Sequence, residues 1–464
     1  MKKFYITTAI DYVNGSPHIG HAFEKVLADA IARWHYLKGE SVFFLTGVDE
    51  NAQKNVEAAC KAGIPVKEFI DKNAGLFLKL CKKLNINYSK FIRTTELEHT
   101  KVVQEILEKI KNKGDIYPGK YKGLYCEGCE AFVTEKELVN GKCPEHKKEP
   151  IKICEEAYFF RLSKYKEQIE KFIKNVIPET RRKEILSRLK EPLKDLCITR
   201  KNAEWGVDFS SDFKVYVWVD ALINYISGAE EKWPADLHVI GKGINWFHSV
   251  VWPALLLSAG YKLPKNLLVH GYLTNTGQKI SKSLGNIINP LELAEKYSAD
   301  AIRYALLRCS VFDDSDFSEQ ILTERNNNEL ANKLGNLISR TTALAEKYGI
   351  KKCENKLLKK IKIKKIEKNL DNYETDKALE KIFAFIDVCN EYIQNKKPWE
   401  THNKEVLYEL ADSIKAIAVL LYPFIPETAE KIADNFGFEI KLDVINKSLK
   451  EGRINKSEIL FNKI

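Results

Sequence analysis

No stretch of the sequence approaches the ~18 uninterrupted apolar residues that a membrane-spanning helix needs. The first residues, Met-Lys-Lys-Phe-Tyr-Ile, also lack the long apolar region of a signal peptide. We therefore expect neither a membrane span nor a secretory leader. Methionine is nearly missing too, since Met1 is the one methionine among 464 residues. Drift in a chain rich in Lys, Ile and Asn explains this more simply than selection or engineering against the residue.

The ten cysteines do not form the pattern of a secreted disulfide framework, since three are clustered and seven are scattered. This usage indicates a reducing cytoplasm and one metal site. Hydrophobic residues make up 44% of the chain, which argues against disorder, and the length suffices for two or three domains. The net charge of +10 is compatible with a nucleic-acid partner.

A short motif near the start, Pro17-His18-Ile19-Gly20-His21, predicts a phosphate site. Ser16 before Pro17 is the order of an N-cap and a first helical residue. His18 and His21 then lie three residues apart on one face of the first turns. The amides and dipole of a helix N-terminus already favour an anion, and two imidazoles add to that.

A second motif, Lys279-Ile280-Ser281-Lys282-Ser283, lies past the middle of the chain. Its two lysines are three apart, in a segment flanked by Gly277 and Gly285. This suits a mobile loop that closes on phosphates as charge develops. Either motif alone is common on protein surfaces, but their order and surroundings together indicate a site for a nucleoside triphosphate.

The pattern of apolar residues predicts an α/β fold. Residues 3–10 and 41–47 are β-rich, and 18–38 between them has helical spacing, which makes a βαβ unit. The first motif therefore lies at the carboxyl end of a strand, where parallel sheets bind ligands. The β pattern resumes near 215 and 237, after an insertion of roughly 100 residues. From about 323 the Lys/Glu-rich helical pattern predicts a bundle.

The insertion carries the pairs Cys126-x2-Cys129 and Cys143-x2-His146, separated by residues 130–142. Two such thiolate and imidazole pairs suit tetrahedral zinc. Four protein ligands leave no open position, so we expect one structural zinc ion.

The two motifs resemble the HIGH and KMSKS signatures of class I aminoacyl-tRNA synthetases. Further segments make the chain similar to the methionyl-tRNA synthetase family over nearly its whole length: Tyr5-Ile6-Thr7-Thr8-Ala9-Ile10-Asp11-Tyr12, Phe43-Phe44-Leu45-Thr46-Gly47-Val48-Asp49-Glu50, Val217-Trp218-Val219-Asp220-Ala221-Leu222-Ile223-Asn224-Tyr225 and Trp246-Phe247-His248-Ser249-Val250-Val251-Trp252-Pro253.

The resemblance implies a Rossmann-like parallel-sheet catalytic domain, split by a zinc-knuckle insertion and followed by an all-α anticodon-binding bundle. The expected segments are 1–114 and 213–265 for the two halves of the catalytic domain, 115–212 for the insertion, 266–322 for the KMSKS loop and stem-contact region, and 323–464 for the bundle.

The implied activity is methionine–tRNA ligation. The methionine carboxylate attacks the α-phosphate of ATP, pyrophosphate leaves, and the tRNA terminal hydroxyl then takes the methionyl group. The implied partners are ATP with Mg²⁺, L-methionine and tRNA(Met), and the expected state is a cytoplasmic monomer.

The resemblance also assigns residues. The catalytic residues would be His18, His21, Lys279 and Lys282, and the further ATP-binding residues Gly20, Gly241, Ser281 and Ser283. Asp49 would bind the substrate ammonium, while Tyr12 and His248 would lie near the sulfur. The remaining methionine pocket would be formed by Ile10, Trp218, Ala221, Leu222, Tyr225, Ile244 and Trp252. Trp399 would stack on an anticodon base, with Asn390 nearby on the same helix.

The chain departs from the family pattern at several positions. The usual Asp-Glu-His-Gly continues here as Asp49-Glu50 followed by Asn51 and Ala52, and the usual Gly-Lys-Asp ends in Gly243. The missing Asp puts one ribose contact in doubt. Ile280 stands where the family motif has Met.

Two alternatives stay open on sequence grounds. One is another class I synthetase, but branched-chain enzymes carry a much larger editing insertion, and a cysteine enzyme would hold zinc in its amino-acid site. The other is a non-catalytic tRNA-binding or zinc-scaffold protein, which loss of the His or Lys motif would favour.

Overall fold

The structure is a computed structural model and describes residues 2–126, 131–133, 135–144, 147–201, 203–275, 277–280 and 287–464. The strands in this part of the chain are β1 Lys3–Thr8, β2 Asp11–Tyr12, β3 Ser41–Asp49, β4 Lys90–Arg93, β5 Ile116–Cys126, β6 Ala131–Val133, β7 Ile151–Phe160, β8 Val176–Ile177, β9 Leu196–Cys197, β10 Thr199–Lys201, β11 Asp208–Ser210, β12 Phe213–Val215, β13 Leu237–Gly241, β14 Asn266–His270, β15 Leu273–Asn275, β16 Gln278–Lys279 and β17 Ser315–Asp316.

The α-helices are α1 Ile19–Leu37, α2 Gln53–Ala62, α3 Val66–Lys83, α4 Leu97–Asn112, α5 Lys166–Phe172, α6 Glu179–Arg188, α7 Val217–Ser227, α8 Trp252–Ala259, α9 Pro290–Lys296, α10 Ala299–Leu307, α11 Glu319–Arg325, α12 Asn336–Tyr348, α13 Ile363–Asp371, α14 Thr375–Lys396, α15 Pro398–Thr401, α16 Lys404–Leu421 and α17 Pro426–Phe436. π-Helical turns cover Phe247–Val251 and Asn326–Gly335.

A parallel sheet forms the centre of the catalytic part. Its order is β4-β3-β1-β13-β14-β8, and β2 continues the line of β1 along the same edge of β3. Strand β1 has β3 on one side and β13 on the other, so the strand order reverses there. The crevice above β1 is therefore the place where such sheets bind ligands.

Alternating side chains of the strands build the cores on the two faces of the sheet. Phe4 and Ile6 of β1 pack in the core that contains α1 and much of the helical bundle. Tyr5, between them, packs in the other core with residues of α7 and α8. Because successive strand residues point to opposite faces, β1 is buried on both sides from its second residue to its last.

The insertion contributes two antiparallel sheets, of order β6-β5-β7-β9 and β10-β12-β11. The chain also returns within residues 115–212 to add β8 to the edge of the central sheet beside β14. Strand β14 lies in the segment 266–322 that the sequence assigned to the loop region. Strands β8 and β14 therefore tie both of these segments into the catalytic sheet. The segment boundaries stay a prediction.

The C-terminal helices pack against the catalytic part through a buried charged group. Arg303 of α10 is fully buried, and its Nη1 lies 2.7 Å from Asp29 Oδ2 of α1. Its guanidinium also donates to the carbonyls of Pro423 and Phe424, each at 3.0 Å, between α16 and α17. The predicted parallel-sheet domain followed by a helical region is confirmed. Among the described residues, no helix is both long and apolar enough to cross a bilayer.

Candidate active site

The two histidines of the first motif form one stacked unit at the start of α1. The ring centroids of His18 and His21 are 3.6 Å apart, at 17° between planes. His18 is the N-cap, and its Nδ1 accepts from the Gly20 amide at 3.1 Å. The backbone N–H of His18 donates to His21 Nδ1, also at 3.1 Å. Because both Nδ1 atoms accept, each neutral ring carries its proton on Nε2 and offers that atom as a donor.

The start of this helix differs from the sequence prediction. The helix begins at Ile19 and not at Pro17, and the cap is His18 and not Ser16. The amide of Ile19 donates to the carbonyl of Ile288 at 3.0 Å, so the helix start is tied to the chain that follows the second motif. A β-carbon on Gly20 would lie 3.0 Å from His18 Cε1, so glycine gives the capping ring its room.

Two acidic side chains, the buried Glu24 and the partly buried Asp11, support this helix start. Neither was predicted from the sequence to do so. Glu24 Oε1 accepts from the amide of Ala9 at 2.9 Å, and Glu24 Oε2 lies 3.0 Å from His270 Nε2. Asp11 forms an ion pair with the fully buried Lys25 and lies 3.8 Å from His21 Nε2. The signal was a set of charged residues, at 24, 25, 29 and 33, among the buried positions of this helix.

An aromatic pocket lies beside the helix start. Trp218 of α7 stacks on Phe247 with centroids 4.0 Å apart and 5° between planes. Tyr12 meets Trp218 edge to face at 6.5 Å. Lys54 Nζ lies 3.6 Å from the centroid of the Tyr12 ring, within range of a cation–π contact. Neither Phe247 nor Lys54 was predicted from the sequence, although Phe247 directly precedes the predicted residue His248.

Most of the apolar residues predicted for methionine pack in a single hydrophobic cluster. Its members are Ile10, Tyr12, Trp218, Leu222, Tyr225, Ile244 and Trp252. Ala221 is buried on α7 but lies outside that cluster. The structure therefore brings together residues that are up to 242 positions apart in sequence, from Ile10 to Trp252.

A buried hydrogen bond joins two of these predicted residues. Tyr225 Oη lies 2.7 Å from His248 Nε2, and His248 Nδ1 lies 3.0 Å from the carbonyl of Ile244. A carbonyl only accepts, so Nδ1 carries the proton and the Tyr225 hydroxyl donates to Nε2. Burial lowers the pKa of His248 to about 4, which keeps the ring neutral. His248 lies on the π-helical turn, a distortion that is frequent at functional sites.

A second buried histidine, His238 of β13, lies under the pocket and was not predicted. Trp252 Nε1 donates to His238 Nε2 at 3.3 Å, so the other nitrogen, Nδ1, carries the proton and donates to Thr7 Oγ1 at 2.7 Å. Burial lowers the pKa of His238 well below its ordinary value. The indole of Trp252 is thus oriented by a neutral imidazole.

Asp49 ends β3 as a buried carboxylate, 2% exposed. Its Oδ1 accepts from the amide of Asn51 at 3.1 Å. The Asn51 side chain in turn donates to Asp220 Oδ2 at 2.8 Å, and His99 Nε2 lies 2.8 Å from the other oxygen of Asp220. Asn51, which departs from the family pattern, therefore links the end of β3 to α7. Asp220 and His99 had no spacing signal in the sequence.

The second motif falls mostly beyond the described residues. Lys279 pairs through its backbone with Thr274 in the β15–β16 hairpin, but its side chain is not among those described. Ser281, Lys282 and Ser283 lie outside the described residues altogether. Gly241, which with Gly20 was also predicted to bind ATP, ends β13 and is paired with His270 of β14. The roles of the lysines and serines stay predictions.

The predicted zinc ligands are divided in the same way. Cys126 ends β5, and both Cys126 and Cys143 are buried at 2% exposure. The carbonyl of Cys143 accepts from the Lys147 amide at 2.7 Å. Cys129 and His146 lie outside the described residues. Within the described ranges, no group of three or more His, Cys, Asp or Glu side chains could hold a metal ion.

In the helical bundle, Trp399 is half-buried. The guanidinium carbon of Arg340 lies 5.3 Å from its ring centroid, and Arg340 donates to Gln394 Oε1 at 3.2 Å. Asn390 donates through Nδ2 to the carbonyl of Lys333 at 3.2 Å. The prediction that Asn390 and Trp399 share a helix was wrong. Helix α14 ends at Lys396, and Trp399 lies on the short helix α15 because Lys397 turns left-handed before Pro398.

Comparisons with known proteins agree with this arrangement. The family model "tRNA synthetases class I (M)" matches residues 4–154 and 146–342, and "Anticodon-binding domain of tRNA ligase" matches 357–461. A methionine–tRNA ligase of Thermotoga maritima is 44% identical, across 95% of this chain and 76% of that protein. One of Caldanaerobacter subterraneus is 40% identical, across 100% of this chain and 79% of that protein. The Mycobacterium tuberculosis methionyl-tRNA synthetase solved with methionyl-adenylate is 35% identical with a TM-score of 0.93, covering 99% of both chains.

Proposed function

Because the chain belongs to the methionyl-tRNA synthetase family of class I tRNA ligases, we propose in residue terms how it activates methionine with ATP and transfers it to tRNA. One observation carries the proposal. A stacked pair of imidazoles with Nε2 donors begins a helix, and Asp11, 3.8 Å from His21 Nε2, precedes Tyr12 of the aromatic cluster that also holds the Tyr225–His248 pair. A phosphate group and a thioether side chain fit these two neighbouring surfaces.

The chemistry is in-line attack of the methionine carboxylate on the α-phosphate of magnesium-bound ATP, with pyrophosphate leaving. His18 and His21 donate from Nε2 to the phosphate oxygens, and Gly20 lets the nucleotide come close to the backbone. Lys279, Lys282 and the serines Ser281 and Ser283 close over the leaving pyrophosphate. Charge stabilisation and positioning supply the rate, since no covalent enzyme intermediate is needed.

Asp49 pairs with the ammonium of methionine, as a buried carboxylate at the carboxyl end of β3 can. Asn51 holds this carboxylate through its amide. The thioether lies among Tyr12, Trp218 and the floor formed by Tyr225 and Trp252. Sulfur–aromatic contact and shape then discriminate methionine from branched side chains.

Cys126, Cys129, Cys143 and His146 would hold one structural zinc ion in the insertion. Two of the four, Cys126 and Cys143, are buried thiols, which is the donor chemistry that zinc prefers. Bound there, the metal would link the end of β5 to the chain at Cys143 and stabilise the insertion. It would take no part in the reaction.

The half-buried Trp399 would stack on an anticodon base of tRNA(Met). Its neighbour Arg340 adds a cation at 5.3 Å from the ring, which suits an anionic partner. Asn390 orients this surface from α14 by its bond to Lys333. We further propose that the protein acts as a monomer in the cytoplasm, where its tRNA substrate is charged.

The test is methionine-dependent exchange of pyrophosphate into ATP, scanned over the standard amino acids. We expect methionine to exceed leucine and isoleucine by ~10–200-fold, the range that a difference of one methylene or branch allows. Equal rates with leucine would overturn the substrate assignment.

A second experiment addresses the loop. Lys282→Ala should lower the exchange rate sharply and leave the methionine KM nearly unchanged, since the lysine acts in the transition state. Lys431→Ala, an exposed lysine on α17, is the matched control for loss of one surface charge. A Lys282 variant that weakens methionine binding alone would contradict the assigned role.

A further inference from the structure

Tyr272 lies directly over the turn that follows β13. A β-carbon placed on Gly243 would be 2.0 Å from Tyr272 Oη and 3.3 Å from Cζ. A β-carbon on Gly241 would be 3.7 Å from Tyr272 Cε1, an ordinary contact. The φ angle of Gly243 is not in the left-handed region. Glycine is needed at 243 for the space that the hydroxyl takes, and not for its backbone conformation.

Neighbouring groups hold the Tyr272 ring in this position. Its backbone N–H donates to Asp314 Oδ1 at 2.9 Å, and its carbonyl accepts from Ser315 at 3.0 Å. Lys242 donates to both oxygens of Asp314, at 2.8 and 2.7 Å, and its Nζ lies 4.8 Å from the ring centroid. The ring is half-buried. A residue fixed in this way is preorganised for a ligand and does not have to be ordered by it.

The position of Tyr272 matches the part of the crevice left for the nucleoside. The phosphate-binding histidines start α1 above β1, and Asp49 lies at the end of β3, on one side of β1. Strands β13 and β14 end on the other side, at Gly241 and His270. A nucleotide whose α-phosphate meets the methionine carboxylate above β1 therefore extends its sugar towards the ends of β13 and β14.

We propose that the Tyr272 hydroxyl binds a ribose hydroxyl of the nucleotide, in the space where the side chain of an Asp at position 243 would begin. This inference rests on the proposed function. A phenol both donates and accepts, as a ribose hydroxyl does, so the two groups pair in either direction. The neutral Tyr272 hydroxyl would then take the place of the acidic Asp side chain that the family has at position 243. A ribose contact is kept although Gly243 itself has no side chain.

The test compares ATP, 2′-deoxyATP and 3′-deoxyATP in methionine-dependent pyrophosphate exchange. Tyr272→Phe should lower kcat/KM for ATP by ~3- to 10-fold, the effect of one neutral hydrogen bond. It should change little for whichever deoxynucleotide lacks the bonded hydroxyl, so that the preference for ATP over that analogue collapses. Gly243→Ala should produce the same selective loss, because its β-carbon displaces the Tyr272 hydroxyl.

Tyr261→Phe is the control. Its hydroxyl lies 3.2 Å from both Lys109 Nζ and Glu230 Oε1 near the surface, so the variant should keep the nucleotide preference. An equal fall for ATP and both deoxynucleotides in Tyr272→Phe, or no fall, would overturn the ribose contact. Wild-type protein without methionine-dependent exchange would instead overturn the proposed function.

Discussion

Replacing Tyr225 by Phe removes one oxygen atom at the floor of the proposed methionine pocket and nothing else. The hydroxyl donates to His248 Nε2 at 2.7 Å, and Tyr225 is 1% exposed. His248 is itself buried and neutral, with its pKa lowered to about 4 by burial. After the substitution its Nε2 is an acceptor without that donor, which costs about 1–3 kcal/mol. If the pair shapes the pocket, this loss should fall on methionine binding.

At 1.36 kcal/mol per tenfold, a loss of that size corresponds to ~5- to 150-fold in kcat/KM for methionine. The assay is pyrophosphate exchange at varied methionine and saturating ATP, with the same series for leucine. We expect the methionine KM to rise and the methionine-to-leucine ratio to fall, because the freed imidazole no longer holds one orientation.

Tyr5→Phe is a close match as a control. The Tyr5 hydroxyl donates to the Tyr225 carbonyl at 2.7 Å and is equally buried, but it makes no bond to His248. Both variants should lose comparable thermal stability. If both also lowered methionine selectivity equally, or if neither did, the Tyr225–His248 pair would be an ordinary core hydrogen bond and the reasoning would be refuted.

Three further outcomes are expected. Burial holds the pKa of His248 at about 4, below its ordinary 6.5, so the unfolded chain binds a proton there first. Urea unfolding should therefore show a contribution from His248 that is present above pH ~6.5 and falls by about 3 kcal/mol as the pH drops to ~4; a His248→Asn variant with the same pH dependence as the wild type would contradict it. Trp399→Ala should reduce tRNA aminoacylation by ~5- to 150-fold and leave pyrophosphate exchange unchanged, the effect of one lost base stack; a lower melting temperature with both activities falling would assign the ring to the core. Cys143→Ser should lower zinc content by elemental analysis and destabilise the insertion, and metal-free wild-type protein with unchanged melting would contradict the zinc site.

A buried ion pair between Arg303 and Asp29 joins the C-terminal helices to the catalytic part. This buried ion pair joins α10 to α1, and the same guanidinium holds the carbonyls between α16 and α17. Truncating a buried partner of this kind typically costs 3–5 kcal/mol, because the other charge is left uncompensated. This ion pair joins α1 to the C-terminal helices together with the bonds of Arg33 to Tyr422 and of Trp34 to Asp371.

The sequence by itself determined the βαβ unit, the parallel-sheet domain and the helical C-terminal region. Each of these follows from local periodicity, which survives in any window of the chain. The spacing of the histidines also predicted that both lie at one helix start, although it misplaced that start by two residues. Apolar and aromatic pocket residues could be named because they stand in segments that resemble a family.

Only the tertiary structure decided which atoms of those residues donate and which accept hydrogen bonds. The proton positions on His18, His21, His238 and His248 depend on partners such as the Ile244 carbonyl and the Trp252 indole. The links from Asn51 to Asp220 and from Tyr272 to Gly243 join segments that are 169 and 29 residues apart, with no periodic signature. Folding alone places such groups within hydrogen-bond distance, because burial leaves each polar atom to find its partner among whichever segments the sheet brings together.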